Sequence, residues 1–140
     1  MMNSSVTVSA ELGLSLVVPD HGSVPLVASL HYSADDPYAI RMAFHVGTDE
    51  PVEWIFARDL LAVGLEGPAG EGDVQVWPAD EQGHELLNIA LSSPFGEAHF
   101  EAPRSSTAAF LTRTYEVIAP GHESDYIDVD TELDELLWRA

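Results

Sequence analysis

The stretch PYAIRMAFHVGTDEPVEWIFARDLLAVGL, residues 37–65, decides the fold. From residue 38 to residue 46 every second position is apolar: Tyr38, Ile40, Met42, Phe44 and Val46. Ala39, Arg41, Ala43 and His45 stand between them. A period of two marks a strand with one buried face. GTDEP, residues 47–51, supplies turn chemistry. Val52, Trp54 and Phe56 then resume the alternation. The simplest register is an antiparallel hairpin with Val46 opposite Val52, Phe44 opposite Trp54 and Met42 opposite Phe56. On its other face that register sets His45 beside Glu53. After Phe56 the period lengthens. Leu60, Leu61, Val63 and Gly64 suit a short helix with the glycine near its end.

Working outward, the chain on both sides repeats the strand pattern. Val6, Val8, Ala10, Leu12, Leu14, Leu16 and Val18 alternate with small or polar residues, and Gly13 offers a place to bend. PDHGS, residues 19–23, turns the chain into a second alternating strand of Val24, Leu26, Ala28, Leu30 and Tyr32. Beyond the short helix, EGPAGEGD, residues 66–73, reads as a glycine-rich loop. Its spacing is not that of a phosphate-binding loop, and it carries acids where a phosphate wants donors. Val74, Val76 and Trp77 make a short strand that Pro78 ends, and PADEQGHE reads as a polar loop. Leu87, Ile89 and Leu91 alternate again. After the turn SSPFG, Ala98, Phe100 and Ala102 face inward while Glu97, His99 and Glu101 face outward. At Pro103 the period becomes helical through Phe110, Leu111, Thr114, Tyr115, Val117 and Ile118, until PGHES stops it. Asp130 can cap a last helix with a narrow stripe of Leu133, Leu136 and Leu137. The expectation is an α+β domain of about seven mostly antiparallel strands, with a short helix between strands and C-terminal helices.

The chain has 140 residues, the length of one ordinary domain, and residues 1–140 are read as one. A chain of this size buries roughly 68–70% of its unfolded surface and needs no staple. It has no cysteine, which removes disulfides, thiol nucleophiles and thiolate metal sites. The first residues lack the basic and unbroken apolar regions of a signal peptide. No apolar run approaches the ~20 residues that span a bilayer. Twenty-four acidic residues stand against five arginines and no lysine, a formal net charge of −19. Such a chain is soluble and is repelled by phosphate backbones and anionic membrane surfaces. The arginines at 41, 58, 104, 113 and 139 form no cluster in sequence.

Candidate sites are few. Glu97, His99 and Glu101 share a strand face and could offer an imidazole and two carboxylates to a metal, as could His45 with Glu53. Alternating charge is equally what a solvated strand face shows, and no second histidine stands at ligand spacing. No metal site is assigned. No serine lies in GxSxG, and His84-Glu85 lacks the second histidine of a zinc protease. No group set supplies nucleophile, base and oxyanion donor together, so no catalytic residue and no cofactor is assigned. Protein contacts are the better candidates. Trp54 and Trp77 are core residues or exposed anchors, since tryptophan is enriched at binding hot spots. Arg58 and Asp59, at the start of a helix, could form a local pair or cap, or brace a contact with another chain. The stripe Leu133, Leu136 and Leu137 packs on its own sheet or docks into a neighbour.

Several segments carry a resemblance. DPYAIRMAFH, VEWIFARDLL, GDVQVWP, IALSSPFGEAHFEAP, FLTRTYEVIAPG and DVDTELDELL resemble, in this order, the SsgA-like proteins of sporulating actinobacteria. The match spans residues 7–137, and residues 52–61 with Trp77-Pro78 are its most specific part. The resemblance implies a cytoplasmic protein of sporulation-specific cell division at future septum sites. It implies recruitment or assembly of the tubulin-like FtsZ, contact with other division-septum proteins, a homo-oligomer that is usually a trimer, and a Whirly-like fold. It implies no catalysis and no cofactor; the absence of a long apolar run argues separately against insertion into the membrane. The competing function is a Whirly-like single-stranded nucleic-acid-binding module, which a basic face would betray.

Overall fold

A computed structural model describes residues 7–45, 50–94 and 96–126. The alternating segments become β1 (Thr7–Val18), β2 (Gly22–Ser33), β3 (Ala39–His45) and β4 (Val52–Ala57). Helix α1 (Arg58–Gly64) follows, then β5 (Ala69–Glu71), β6 (Val74–Glu81), β7 (His84–Ser93) and β8 (Gly96–Pro103). Helix α2 (Arg104–Val117) and a short 3-10 turn (Glu123–Tyr126) complete the described elements. The strands form one sheet in the order β4-β3-β2-β1-β8-β7-β6-β5. Every ladder is antiparallel.

The sheet is strongly curled. Phe44 on β3 and Phe100 on β8 lie three strand spacings apart in the sheet, about 14 Å if it were flat. Their rings stack with centroids 4.3 Å apart and planes at 19°. The concave side therefore closes on itself and holds the core. Val8, Leu12 and Leu14 of β1 face it, with Tyr32, Ala28 and Leu26 opposite them on β2. Ile40, Met42 and Phe56 join from the central hairpin, and Val76, Leu87, Ile89 and Ala102 from the other half. α2 adds Phe110 and Leu111. Its two buried threonines keep their hydroxyls satisfied within the helix: Thr107 Oγ1 donates to Pro103 O (3.0 Å) and Thr114 Oγ1 to Leu111 O (2.7 Å).

The central hairpin forms as the alternation predicts, but in another register. Phe44 is opposite Val52, Met42 opposite Trp54 and Ile40 opposite Phe56. The shift is two residues, so each side chain keeps its expected face and only its partner changes. Residues 46–49, most of the expected GTDEP turn with Val46 before it, lie outside the described residues. Glu53 consequently stands opposite Ala43, not His45, and reaches Arg41 at 3.6 Å.

The described residues form eight strands, against about seven expected. The addition is β5, inside the glycine-rich stretch, which pairs its three residues with Val74, Gln75 and Val76. Nor does Pro78 end β6, which continues to Glu81 opposite His84. Beyond Val76 no described strand covers its outer side, so an imino acid there costs no described ladder bond on that side. The supposed polar loop is a two-residue hairpin turn, with Gln82 and Gly83 at φ 54° and 83°. β1 runs unbroken through Gly13. The expected last helix, with Leu133, Leu136 and Leu137, falls outside the described residues.

Gly64 ends α1 as expected, but for another reason. Helix α1 lies against β6 so closely that a Cβ on Gly64 would stand 2.7 Å from Val76 Cβ and nearer still to its Cγ1. The glycine permits an approach rather than a left-handed cap. Overpacking here should cost about 1–3 kcal/mol in a Gly64→Ala variant, read as a lower urea midpoint. A variant as stable as the parent would show that α1 lifts from β6 freely.

At the start of α1, Arg58 is only 1% exposed. Its backbone N–H donates to Tyr38 O (2.7 Å). Its Nη1 donates to Ile118 O (2.8 Å), Thr114 O (3.3 Å) and Thr114 Oγ1 (3.4 Å). Its Nη2 pairs with Glu123 Oε2 at 2.8 Å. The guanidinium carbon lies 4.8 Å from the Tyr32 ring centroid and 4.9 Å from that of Tyr115. α2 has no basic residue in its own last turn. Arg58 supplies that charge from another element, at the end where the helix dipole and orphan carbonyls ask for it. The hydrogen bond from Arg58 holds the Glu123 carboxyl below the usual carboxylate range, against the opposite pull of burial. A carboxyl lowered on folding stabilises above its unfolded pKa, and that gain is lost as pH falls through the folded pKa. Glu123→Gln should therefore cost about 1.5–3 kcal/mol at neutral pH. Its stability should also fall less steeply than the parent's below about pH 4.3. Urea titrations from pH 7 to 3 read both, and parallel acid limbs would contradict the pairing.

Candidate functional site

The two ends of the curled sheet differ. One end carries Thr7, Ser33, Ala39, Ala57 and Pro103, where strands begin or finish beside the two helices. α1 leaves directly from β4 there, and α2 leaves directly from β8. The other end carries the β1–β2 turn, the β3–β4 connection and the β7–β8 turn. No described helix covers it.

At that open end the concave face is apolar but not filled. Leu16, Leu26, Phe44, Val52, Trp54 and Phe100 line a cleft of about 350 Å³, with Ser93 and Glu97 at its rim. The Phe44–Phe100 stack forms its floor. Val52 and Val24 take inward-facing register positions, opposite Phe44 and Leu16, yet remain 49% and 45% exposed. These are core-type positions that nothing in the described chain covers. Trp54 is half-buried against this cleft.

Trp77 occupies the opposite, convex face. It is half-buried, with its ring 5.4 Å from the His99 imidazole. His99 Nε2 donates to Asn88 Oδ1 at 2.7 Å, which satisfies a buried amide beneath the two rings. Glu97 and His99 also line a wider, more polar hollow of about 530 Å³ with Val17, Gln75, Trp77 and Ala90. Burial, and next the nearby Glu81 carboxylate, hold the Glu101 carboxyl above its ordinary range, while His99 pulls it down. Among the described residues no group of three or more histidines and acids is arranged to hold a metal ion. His45 is hydrogen-bonded to Ser29 Oγ (2.9 Å) and His31 to Ser9 Oγ (2.9 Å), both across neighbouring strands.

Of the other sequence candidates, Arg58 is enclosed by its own chain, as described above, and offers no charge to a partner. Asp59 is exposed in the first turn of α1, where a carboxylate suits the helix dipole. The leucine stripe lies outside the described residues. The remaining described arginines also have intrachain partners. Arg41 pairs with Glu53; Arg104 donates to Leu65 O (2.9 Å) and pairs with Glu66 (3.1 Å); Arg113 donates to Ser9 O (3.1 Å). No basic stripe is left among the described residues. Of the cleft residues only Trp54 stood out in the sequence as a protein contact, and Glu97 as a metal candidate. Leu16, Leu26, Val52 and Phe100 read as ordinary strand interior, because alternation reveals a face and not whether something covers it.

Comparison with known proteins places this architecture. The family described as Streptomyces sporulation and cell division protein, SsgA, matches residues 26–123. The sporulation-specific cell division protein SsgB of Thermobifida fusca is 58% identical over 137 residues, covering 98% of this chain and 99% of that protein. The crystal structure of an SsgA-like sporulation-specific cell division protein from Thermobifida fusca YX-ER1 superposes with a TM-score of 0.87 at 58% identity, over 96% of this chain and 98% of that one. A second structure, from work on SsgB mutations and longitudinal cell division in Streptomyces coelicolor, gives a TM-score of 0.86 at 49% identity, over 91% and 100%. Relatives 58% and 50% identical along nearly the whole chain carry the name SsgB. With the family pattern matched from β2 to the 3-10 turn, the chain belongs to the SsgA family of sporulation and cell division proteins.

Proposed function

We propose that this chain is a non-enzymatic protein of sporulation-specific cell division. In this reading it acts in the cytoplasm at the septum, recruits FtsZ or promotes its assembly, and meets other septal proteins. The names of its relatives support the division role. The observation that carries the binding role is the apolar cleft at the open end. It is the kind of surface a protein partner covers, and it belongs to a chain of net charge −19 whose described arginines are engaged internally. Trp54 and Val52 are the contacts proposed first, with Trp77, Asp59 and the stripe Leu133, Leu136 and Leu137 as further surfaces. A Whirly-like arrangement and a homotrimer belong to the same reading. The outer edge of β4, with Ile55 exposed on the face away from the cleft, supports an assembly that covers it. Light scattering at micromolar concentration should give a multiple of 15.2 kDa, and a mass near that value would count against assembly.

Two acidic proteins gain no long-range steering and repel until close. That repulsion is screened over a Debye length of ~10 Å at 0.1 M salt. The on-rate for purified FtsZ should therefore rise as monovalent salt increases from about 0.05 to 0.3 M. Surface binding or stopped flow reads it, with FtsZ polymerisation followed separately. An on-rate that falls steeply would point to a basic docking patch instead. The same charge argument predicts no submicromolar shift of single-stranded DNA at about 0.1 M salt.

A further inference from the structure

The open-end cleft has a chemistry that selects its occupant, and the inference rests on the proposed partner-binding role. At about 350 Å³ it matches a few side chains rather than a folded domain. Its floor and walls are aromatic and aliphatic: Phe44, Phe100, Trp54, Leu16, Leu26 and Val52. A carboxylate or phosphate entering it would lose water and find no cation among the described residues that line it. Glu97, beside the β7–β8 turn, is the one charged residue among its described lining, and it borders the convex hollow as well. Glu97 is exposed, and no described hydrogen bond or ion pair occupies it.

We infer that this cleft takes a short partner segment that buries two large apolar side chains against Trp54 and Phe100 and sets an adjacent lysine or arginine on Glu97. The apolar anchors supply affinity, since they remove Val52 and the cleft walls from water. The cation supplies selectivity, because an acidic flank would meet both Glu97 and the field of a −19 chain. A second copy of this chain is the less fitting occupant. It brings the same net charge, and its four described arginines are already engaged.

The test uses the intact protein and a random dodecapeptide library displayed on phage, so it does not depend on FtsZ. Enriched peptides should carry two large apolar residues next to Lys or Arg. Synthetic copies should bind Val52→Glu at least about ten-fold more weakly. Val52 and Glu97 are both exposed, so neither substitution threatens the core. Glu97→Lys should invert the preference toward acidic flanks while keeping the apolar anchors. Enrichment without a cationic preference, or binding indifferent to Val52→Glu, would overturn the inference. So would a drop in oligomer mass in the Val52→Glu variant, which would assign the cleft to a second copy. If peptides behave as expected but purified FtsZ does not bind, the cleft stands and the FtsZ assignment falls.

Discussion

Arg58 carries a permanent charge in a place almost closed to water, and much of the molecule is arranged to make that tolerable. An arginine left alone there would be very costly; breaking a buried pair typically costs about 3–5 kcal/mol. Here the charge meets two helix-terminal carbonyls, one threonine hydroxyl, a carboxylate and two aromatic faces. Tyr32, one of those faces, is itself held by its hydroxyl on Pro37 O at 2.9 Å. The other, Tyr115, has its phenol pushed up by burial against the pull of Arg58. A single side chain thereby ties the start of α1, the end of α2, the 3-10 turn and strand β2 into one unit. With both helices fixed at that end of the curled sheet, no described helix covers the other end.

That asymmetry links packing to function. A sheet curled tightly enough to stack Phe44 on Phe100 needs its concave face filled, and α2 fills one half with Phe110 and Leu111. The other half ends in Leu16, Leu26, Val52 and Trp54, which keep core chemistry without core cover. Scattered exposed apolar residues are ordinary, but a contiguous apolar concavity on a strongly acidic chain is a specific cost in solubility. The charge that keeps the chain soluble also makes phosphate backbones poor partners for it.

Much of this was legible in the sequence, and the failures have physical causes. Alternation gave the faces of β3 and β4 but not their pairing, because a slip of two residues leaves every face unchanged. β5 escaped notice because Ala69, Gly70 and Glu71 have no apolar pattern; backbone pairing to β6 holds them. Beyond Val76 no described strand pairs with the outer side of β6, and its far end is polar there, so PADE looks like a loop. Arg58 stood out as one of few arginines, yet its side-chain hydrogen-bond partners lie 56 to 65 residues away and no local pattern could name them. The cleft was least legible of all. Leu16 and Leu12 look alike in sequence, and only the landing place of the helices separates an uncovered wall from a buried core.

The central claim is that the uncovered end of the sheet is where a division partner binds. Amide hydrogen exchange of the intact protein, with and without purified FtsZ at saturating concentration, tests it most directly. The account predicts slowed exchange around Leu16 to Leu26, around Phe44 and Val52 to Trp54, and around Ser93 to Ala98. The amides near Arg58 and along α2 should remain unchanged. Protection confined to the α2 end, or to the convex face around Trp77 and His99, would contradict it.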